Sequence, residues 1–389
     1  MKEAFIVTAK RTPIGGFLGV LSNFSATELG AIAIAEAYKV AKIEATEIGA
    51  VYFGNVLSAN LGQAPAKQAA KAAGIPDEVD STTINKVCSS GLKAVSIGAQ
   101  QIQLGLEDII IAGGMESMSN APHYMNLRKR LKLGNYEFVD GLLKDGLTDV
   151  YSNFHMGRAA ELCADEYKLT REQQDEFALA SYERAANAFK SGKFRDEIVP
   201  VKLKAGTAEV MLQDEDVSKI IPEKVSKLKP AFLHNGTITA ANASGLNDGA
   251  AALLLMSEYG LKRHGLKPIA RIISYADASQ APEWFTTSPA RAVLKALQQA
   301  KLTIHDVDYF EINEAYAAVI LANQQILNIN KKHTNVYGGA VAMGHPLGAS
   351  GARILCTLTS ILTQEGGRYG VAAICNGGGG ATAMVIEKI

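Results

Sequence analysis

Four short stretches carry residues suited to chemistry at a carbonyl carbon. INKVCSSGLKAV, Ile84 to Val95, passes from a β-favouring run into two serines, a glycine and a helix-like segment, with Cys88 at the turn. A sulfur there lies near unpaired helix N–H groups and the positive end of the helix dipole, which predicts a thiolate-favouring site. MGHPLGASG puts His345 at a similar strand-to-helix turn, held out of helical geometry by Pro346. Cys375 ends an apolar run just before Gly377 to Gly380, and NEA, Asn313 to Ala315, ends another run where a helix starts. Each alone has an ordinary structural explanation: a buried thiol, a satisfied histidine, an N-cap asparagine, a glycine turn. Jointly, a nucleophile, a base, a second thiol and an orienting amide form the set that acyl transfer with carbon-acid chemistry requires.

The elements that must bring these residues together occur twice. Residues 1–119 and 269–389 pass through the same order: AFIVTA from Ala4 matches ARIISYA from Ala270, and TELGAIAIAEAYKVA matches ARAVLKALQQA, both with helical apolar periodicity. VYFGNV (Val51–Val56) corresponds to DYFEINEA (Asp308–Ala315), each leading into an Ala-rich helix. VCSSGLKAVSIGAQQIQ corresponds to GHPLGASGARILCTLTSIL, each followed by a strand and glycines. Alternating strands and helices predict α/β layers, each half a largely parallel sheet of continuous apolar strands with ligands at the strand C-terminal ends.

In the second half GGGG leads at once into the last strand, ATAMVIEKI, whereas in the first half the equivalent strand does not start until Gly249. The reading is therefore a first half formed by 1–118 with 248–268, an inserted loop domain over 119–247, and a second half over 269–389. The insertion includes RLKLGNYEFVDGLLKDGL, a helix-like KLTREQQDEFALASYERAANAFKSG and the basic run PEKVSKLKP. Supplying substrate contacts is its expected role.

The chain has 389 residues, 48% apolar and 20% charged, with Lys+Arg and Asp+Glu both at 39 and a net charge of zero. Nothing in that balance suggests nucleic acid or an anionic membrane as partner. The absence of a long apolar run and of an export signal predicts a cytoplasmic protein, and four cysteines without paired spacing are expected to be free thiols. No GxxxxGK[ST], GxGxxG or HExxH occurs, which disfavours nucleotide hydrolysis, Rossmann dehydrogenation and zinc hydrolysis.

NKVCSSGLKA, AGGMESMSNAP, HMG (His155–Gly157), TAANASGLNDGAA, NEAYAA, GGAVAMGHPLGASGAR and ICNGGGG follow one another along the whole chain as in the thiolases, and the sequence resembles the short-chain acetyl-CoA acetyltransferases among them. The resemblance implies a duplicated five-layered α-β-α-β-α architecture and a two-step condensation of two acetyl-CoA to acetoacetyl-CoA plus CoA, or its reverse. The neighbouring expectation is a degradative 3-ketoacyl-CoA thiolase of broader chain length. Decarboxylating ketoacyl synthases, with one cysteine and two histidines, are disfavoured by Cys375, and a non-catalytic acyl-CoA carrier by the intact set. By this resemblance Cys88 takes the acyl group, His345 activates it, and Cys375 exchanges the α-proton. His345 with a water on Asn313 holds the enolate oxygen, and the N–H groups of Cys88 and Gly377 hold the acyl oxygen.

Matching positions for coenzyme A are Leu147, His155, Met156, Phe232, Ala240, Ser244 and Leu246, with Ala315 and Tyr316, and Phe285 for the acyl pocket. Lys219, Lys224, Lys227 and Lys229 are expected near the nucleotide phosphates. Tyr182 with Ala240, Ala241, Ala243 and Val341 resembles a potassium site. No redox or metal cofactor is required, and relatives form dimers or tetramers, a tetramer being expected here. Two residues depart from the pattern: Tyr316 where phenylalanine is common, and Tyr337 where asparagine is usual.

Overall fold

A computed structural model describes residues 2–128, 133–203 and 208–389; part of RLKLGNYEFVDGLLKDGL lies outside them. The first half contributes strands β1 (Ala4–Arg11), β2 (Ala50–Gly54), β3 (Asp80–Ile84), β4 (Ile109–Ser117) and β5 (Asn247–Ser257), and helices α1 (Ala26–Lys39), α2 (Pro65–Ala72) and α3 (Ser90–Leu104). Two longer helices, α4 (Met156–Glu166) and α5 (Arg171–Lys190), lie between β4 and β5. The second half contributes β6 (Ala270–Ser279), β7 (Tyr309–Ile312), β8 (Tyr369–Asn376) and β9 (Gly380–Lys388) with α6 (Ser288–Ala300), α7 (Ala317–Leu327) and α8 (Leu347–Gln364).

The strand order is β7-β8-β9-β6-β1-β5-β4-β2-β3, and the duplication is written in it. Reading outward from the β1–β6 junction, β1-β5-β4-β2-β3 runs with the same pairings as β6-β9-β8-β7 and a parallel bridge from Phe310 to Thr334. The expectation of largely parallel half-sheets is corrected: only β2 with β3, β2 with β4, and β7 with β8 are parallel, and the other pairs are antiparallel. Gly377–Gly379 is too short for a crossover, so β9 must return beside β8 as a hairpin partner. The same geometry holds for β5 beside β4, and the connection between them carries the inserted segment.

Three cores separate five layers. Helices α1 and α2 cover the outer face of the first sheet, α6 and α7 cover that of the second, and α3 and α8 pack between the sheets. Strands β4 and β5 are buried at every position, as covering on both faces demands. Helix α8 is buried continuously from Leu347 to Leu362, the mark of a middle-layer helix with no solvent face. On the outside, α1 starts with a capping box between Ser25 and Glu28, and α5 with one between Thr170 and Gln173. Among the described residues no helix is long and apolar enough to cross a membrane.

Candidate active site

The chain turns from β3 to α3 through a strained elbow. Val87 has φ +47°, a left-handed conformation that costs a β-branched residue about 1–3 kcal/mol. The elbow is held by Asn85 Oδ1, which accepts from Val87 N at 3.0 Å, and by Ser90 Oγ, which accepts from Lys86 N at 2.8 Å. It carries the Cys88 sulfur to a position faced by the N–H groups of Gly377 and of Cys88 itself.

The expected thiolate bias at Cys88 does not hold. Burial, with a lesser push from the Glu116 carboxylate, moves the thiol up to about 12, outweighing the two N–H groups. α3 begins only at Ser90, and removal from water costs a thiolate more than a helix start returns. A base must therefore take the proton.

His345 sits at the pseudo-equivalent turn before α8. Its backbone N–H donates to Asn247 Oδ1 at 2.9 Å, and its Nδ1 lies 2.6 Å from Ser350 Oγ. Ser350 Oγ in turn donates to Pro346 O at 2.8 Å, so its hydroxyl proton is committed and it accepts from Nδ1–H. That tautomer leaves a lone pair on Nε2, which is buried without a partner among the described residues. Burial first, then the Arg353 charge, lowers the imidazole to about 3, so it is neutral at pH 7.

Cys375, at the end of β8, is fully buried, and burial together with the Cys88 charge pushes its thiol well above the ordinary range. Asn313 leaves both side-chain amide atoms buried and without a partner among the described residues. Its NEA turn is anchored by Glu314, which accepts from Ser181 Oγ at 2.7 Å, Asn335 Nδ2 at 2.9 Å and Val341 N at 3.1 Å.

These turns meet at a cavity of about 360 Å³, with Cys88, His345 and Gly377 on its wall and Cys375 and Asn313 outside that lining. All the matched apolar and small positions line it: Leu147, His155, Met156, Phe232, Ala240, Ser244, Leu246, Phe285, Ala315 and Tyr316. His155 caps α4, its Nδ1 accepting from Gly157 N at 3.0 Å, and stacks on Phe232 with ring centroids 4.7 Å apart. Phe232 meets the Tyr316 ring edge-on.

Of the four lysines, Lys219 departs from the expectation. Lys219 is tied to Glu215 at 2.9 Å and Asp216 at 2.8 Å, away from the cavity wall, because its i−4 and i−3 neighbours are acidic. Lys224, Lys227 and Lys229 are exposed and also off the wall. Of the cation set, Ala240 and Ala243 line the cavity, whereas Tyr182 packs with Ile14 and Tyr337. Tyr337 supplies a contact of its own, its hydroxyl donating to Glu365 Oε1 at 2.7 Å.

Met118, Leu143, Ala231, Thr239 and Leu347 also line the cavity and were missed. Their types carry no chemical signal, so only their place in space marks them. Ser350 stands in the GHPLGASG motif five residues after His345, in the first turn of α8, and its hydroxyl beside the histidine was the available sign.

A duplicated α/β fold that sets a thiol and an imidazole on the wall of one apolar cavity, with a second thiol buried behind it, defines an acyltransferase of the thioester-using kind. Family models for the thiolase N-terminal domain and the thiolase C-terminal domain match residues 4–259 and 266–388. The chain belongs to the thiolase family. It is 54% identical over 393 residues to acetyl-CoA acetyltransferase 2 of Arabidopsis thaliana, covering 100% of this chain and 98% of the relative. It is 52% identical to a cytosolic acetyl-CoA acetyltransferase of Gibberella zeae, covering 100% and 99%. Its fold matches the crystal structure of Acat5 thiolase from Ascaris suum in complex with coenzyme A, with TM-score 0.95, 47% identity and full coverage of both chains.

Proposed function

We propose that the reversible Claisen condensation of two acetyl-CoA to acetoacetyl-CoA and CoA, the reaction of this acyltransferase, runs through Cys88, His345 and Cys375. The observation that carries this assignment is the meeting of Cys88, His345 and Gly377, from three separate segments, on one cavity wall. His345 Nε2 takes the Cys88 proton as the sulfur attacks the thioester carbonyl. The bond to CoA sulfur breaks, and Cys375 gives its proton to the departing thiolate, leaving acetyl-Cys88 and a Cys375 thiolate. That thiolate then removes an α-proton from the second acetyl-CoA. The resulting carbanion attacks acetyl-Cys88, a C–C bond forms, and Cys88 leaves as thiolate and recovers its proton from His345.

Between these steps the protonated His345 and a water on Asn313 hold the enolate oxygen, while the N–H groups of Cys88 and Gly377 hold the acyl oxygen. One such donor is typically worth about 3 kcal/mol. A sulfur nucleophile suits the reversibility, because the acyl-enzyme is itself a thioester, close in energy to substrate and product.

The inserted segment 119–247, with the two halves on either side of it as bounded above, is assigned the binding of coenzyme A. His155, Phe232, Leu147, Met156, Ala240, Ser244 and Leu246 form the wall for the thioester arm, and Lys224, Lys227 and Lys229 are left free for the phosphates. Phe285 and Tyr316 narrow the acyl end, favouring short chains over the broader 3-ketoacyl-CoA range. Thiolysis of 3-ketoacyl-CoAs of increasing length tests this, and a rate that rises with length favours the degradative reading.

A potassium ion is proposed at the segment of Ala240, Ala241 and Ala243, whose carbonyls accept no backbone hydrogen bond among the described residues. Tyr182 adds a hydroxyl and Val341 a carbonyl, and such an ion would order the cavity wall. Equal rates in sodium and potassium buffers would refute it. The assembly proposed is a homotetramer, supported by the exposed apolar Leu127, Leu133, Tyr136 and Phe138 of the inserted segment. The location proposed is the cytosol, as in the name of the Gibberella zeae relative.

A further inference from the structure

The steps above leave one buried carboxylate beside the site unused. Glu116, at the end of β4, is fully buried, and each of its oxygens accepts two hydrogen bonds. Oε1 takes Asn55 Nδ2 at 2.8 Å and Leu57 N at 3.1 Å, and Oε2 takes Val56 N at 3.1 Å and Gly348 N at 2.9 Å. Three of these donors are backbone N–H groups, which cannot reverse. The fourth is fixed as well, because Asn55 Oδ1 accepts from Ser58 Oγ at 2.6 Å and turns the NH₂ toward Glu116. The four donors thus suit an ionised carboxylate, which accepts at both oxygens.

Three of the four donors belong to the first half, and the fourth opens α8 in the second. α8 has Pro346 at its N-cap position and no side-chain cap of its own. Glu116 therefore supplies from across the domain junction the acceptor that the helix lacks. The backbones approach so closely there that only glycine fits. A Cβ on Gly348 would lie 2.6 Å from Met115 O and 3.0 Å from Glu116 Oε2, and one on Gly54 would lie 2.7 Å from both Gly348 O and Gly91 N. Gly91 follows the Cys88 elbow, and Gly348 follows His345 and Pro346.

We infer that Glu116 is a positioning residue that pins the His345 turn of one half against the Cys88 turn of the other through its bond to Gly348. This rests on the acyl-transfer reading of the site. Protonation of Glu116 breaks the pin, and burial, opposed by the Leu57, Gly348 and Val56 N–H groups and aided by the Asp248 charge, raises the carboxyl to about 7. The titratable groups that interact with it are Asp248 and Cys88, and Cys88 is moved to about 12, far from neutrality, as is the nearby reacting His345, moved to about 3. Asp248 is raised by burial but engaged by Ser117 and Ser119.

The sign of the effect separates positioning from simple electrostatics. The Glu116 charge raises the Cys88 thiol, so neutralising it with the geometry intact speeds reaction of that sulfur, whereas loss of the pin slows it. The test is the pH dependence of Cys88 alkylation by iodoacetamide, read by mass spectrometry, for the whole enzyme, Glu116→Gln and Asn55→Ala. Expected for the unaltered chain is a fall in rate as pH drops through about 7. Expected for Glu116→Gln is a rate lower by about tenfold or more, with the step near neutrality gone. Asn55→Ala keeps the charge but removes one donor, so its step moves to higher pH; this variant decides the matter if the glutamine variant fails to fold. Glu116→Gln alkylating as fast as the unaltered chain or faster, or an Asn55→Ala step that stays in place, overturns the inference. Acetoacetyl-CoA thiolysis, run in parallel, should show the Glu116→Gln loss in kcat with KM little changed. An unaltered enzyme that alkylates normally but does not cleave acetoacetyl-CoA defeats the functional reading and leaves the Glu116 inference to the alkylation profiles.

Discussion

At neutral pH the reacting groups rest as a thiol and a neutral imidazole, because burial opposes charge on both Cys88 and His345. Charge appears only when a thioester occupies the cavity and the proton moves. Cys375→Ala is expected to accept an acetyl group on Cys88 but to lose exchange of the α-protons of acetyl-CoA with deuterated solvent. Exchange at the unaltered rate defeats the assignment of the α-proton to Cys375. His345 also has a consequence for stability. Its folded pKa is depressed to about 3 from an unfolded value of roughly 6.5, so the unfolded chain binds more protons between these limits. Stability from this group is complete above about pH 6.5 and drains away as pH falls toward 3. Replacing His345 by Asn is therefore expected to shift the acid-unfolding midpoint, followed by circular dichroism, to lower pH. The types proposed to react were legible as residues, since Cys88, Asn313 and Cys375 stand after or at the ends of strands and His345 at the turn before a helix, which in the structure follows the short helix Ala340–Met343 rather than the expected strand. Their ionisation was not: the helix start at Cys88 argued for a thiolate, and burial, which depends on what covers the sulfur, reversed it.

Elements place those residues through two kinds of device. One is local and visible in the chain, such as the Ser25 and Glu28 box that starts α1. Ser25→Ala is expected to cost about 1 kcal/mol, lowering the thermal midpoint without touching KM. The other is the contact of glycines across the junction of the halves. A Cβ on Gly114 would lie 2.0 Å from Gly348 O and 3.2 Å from Ala349 Cα, pushing α8 off the first sheet. Gly114→Ala is expected to destabilise the protein by about 3 kcal/mol and to lower kcat with it. Normal stability and activity in this variant would contradict the close approach. Element order and the repeat could be read from apolar periodicity, because strands and helices of the two halves recur in one sequence. Strand direction could not, since an apolar run looks alike in either orientation; the shortness of the Gly377–Gly379 turn decides it for β9.

For the whole molecule the predictions concern assembly and reach. Exposed Leu133 and Phe138, both replaced by serine, are expected to shift the mass seen by light scattering from tetramer toward dimer, with short-chain thiolysis retained. An unchanged mass removes that surface from the assembly. By itself the sequence determined the duplication and singled out the residue types proposed to meet the carbonyl carbon, because these follow from periodicity and from chemistry that few side chains perform. Only the tertiary structure decided the antiparallel partners, the neutral states of Cys88 and His345, and the junction at Glu116. Those depend on which surfaces exclude water and which backbones touch across hundreds of residues, and pattern along a chain does not encode either.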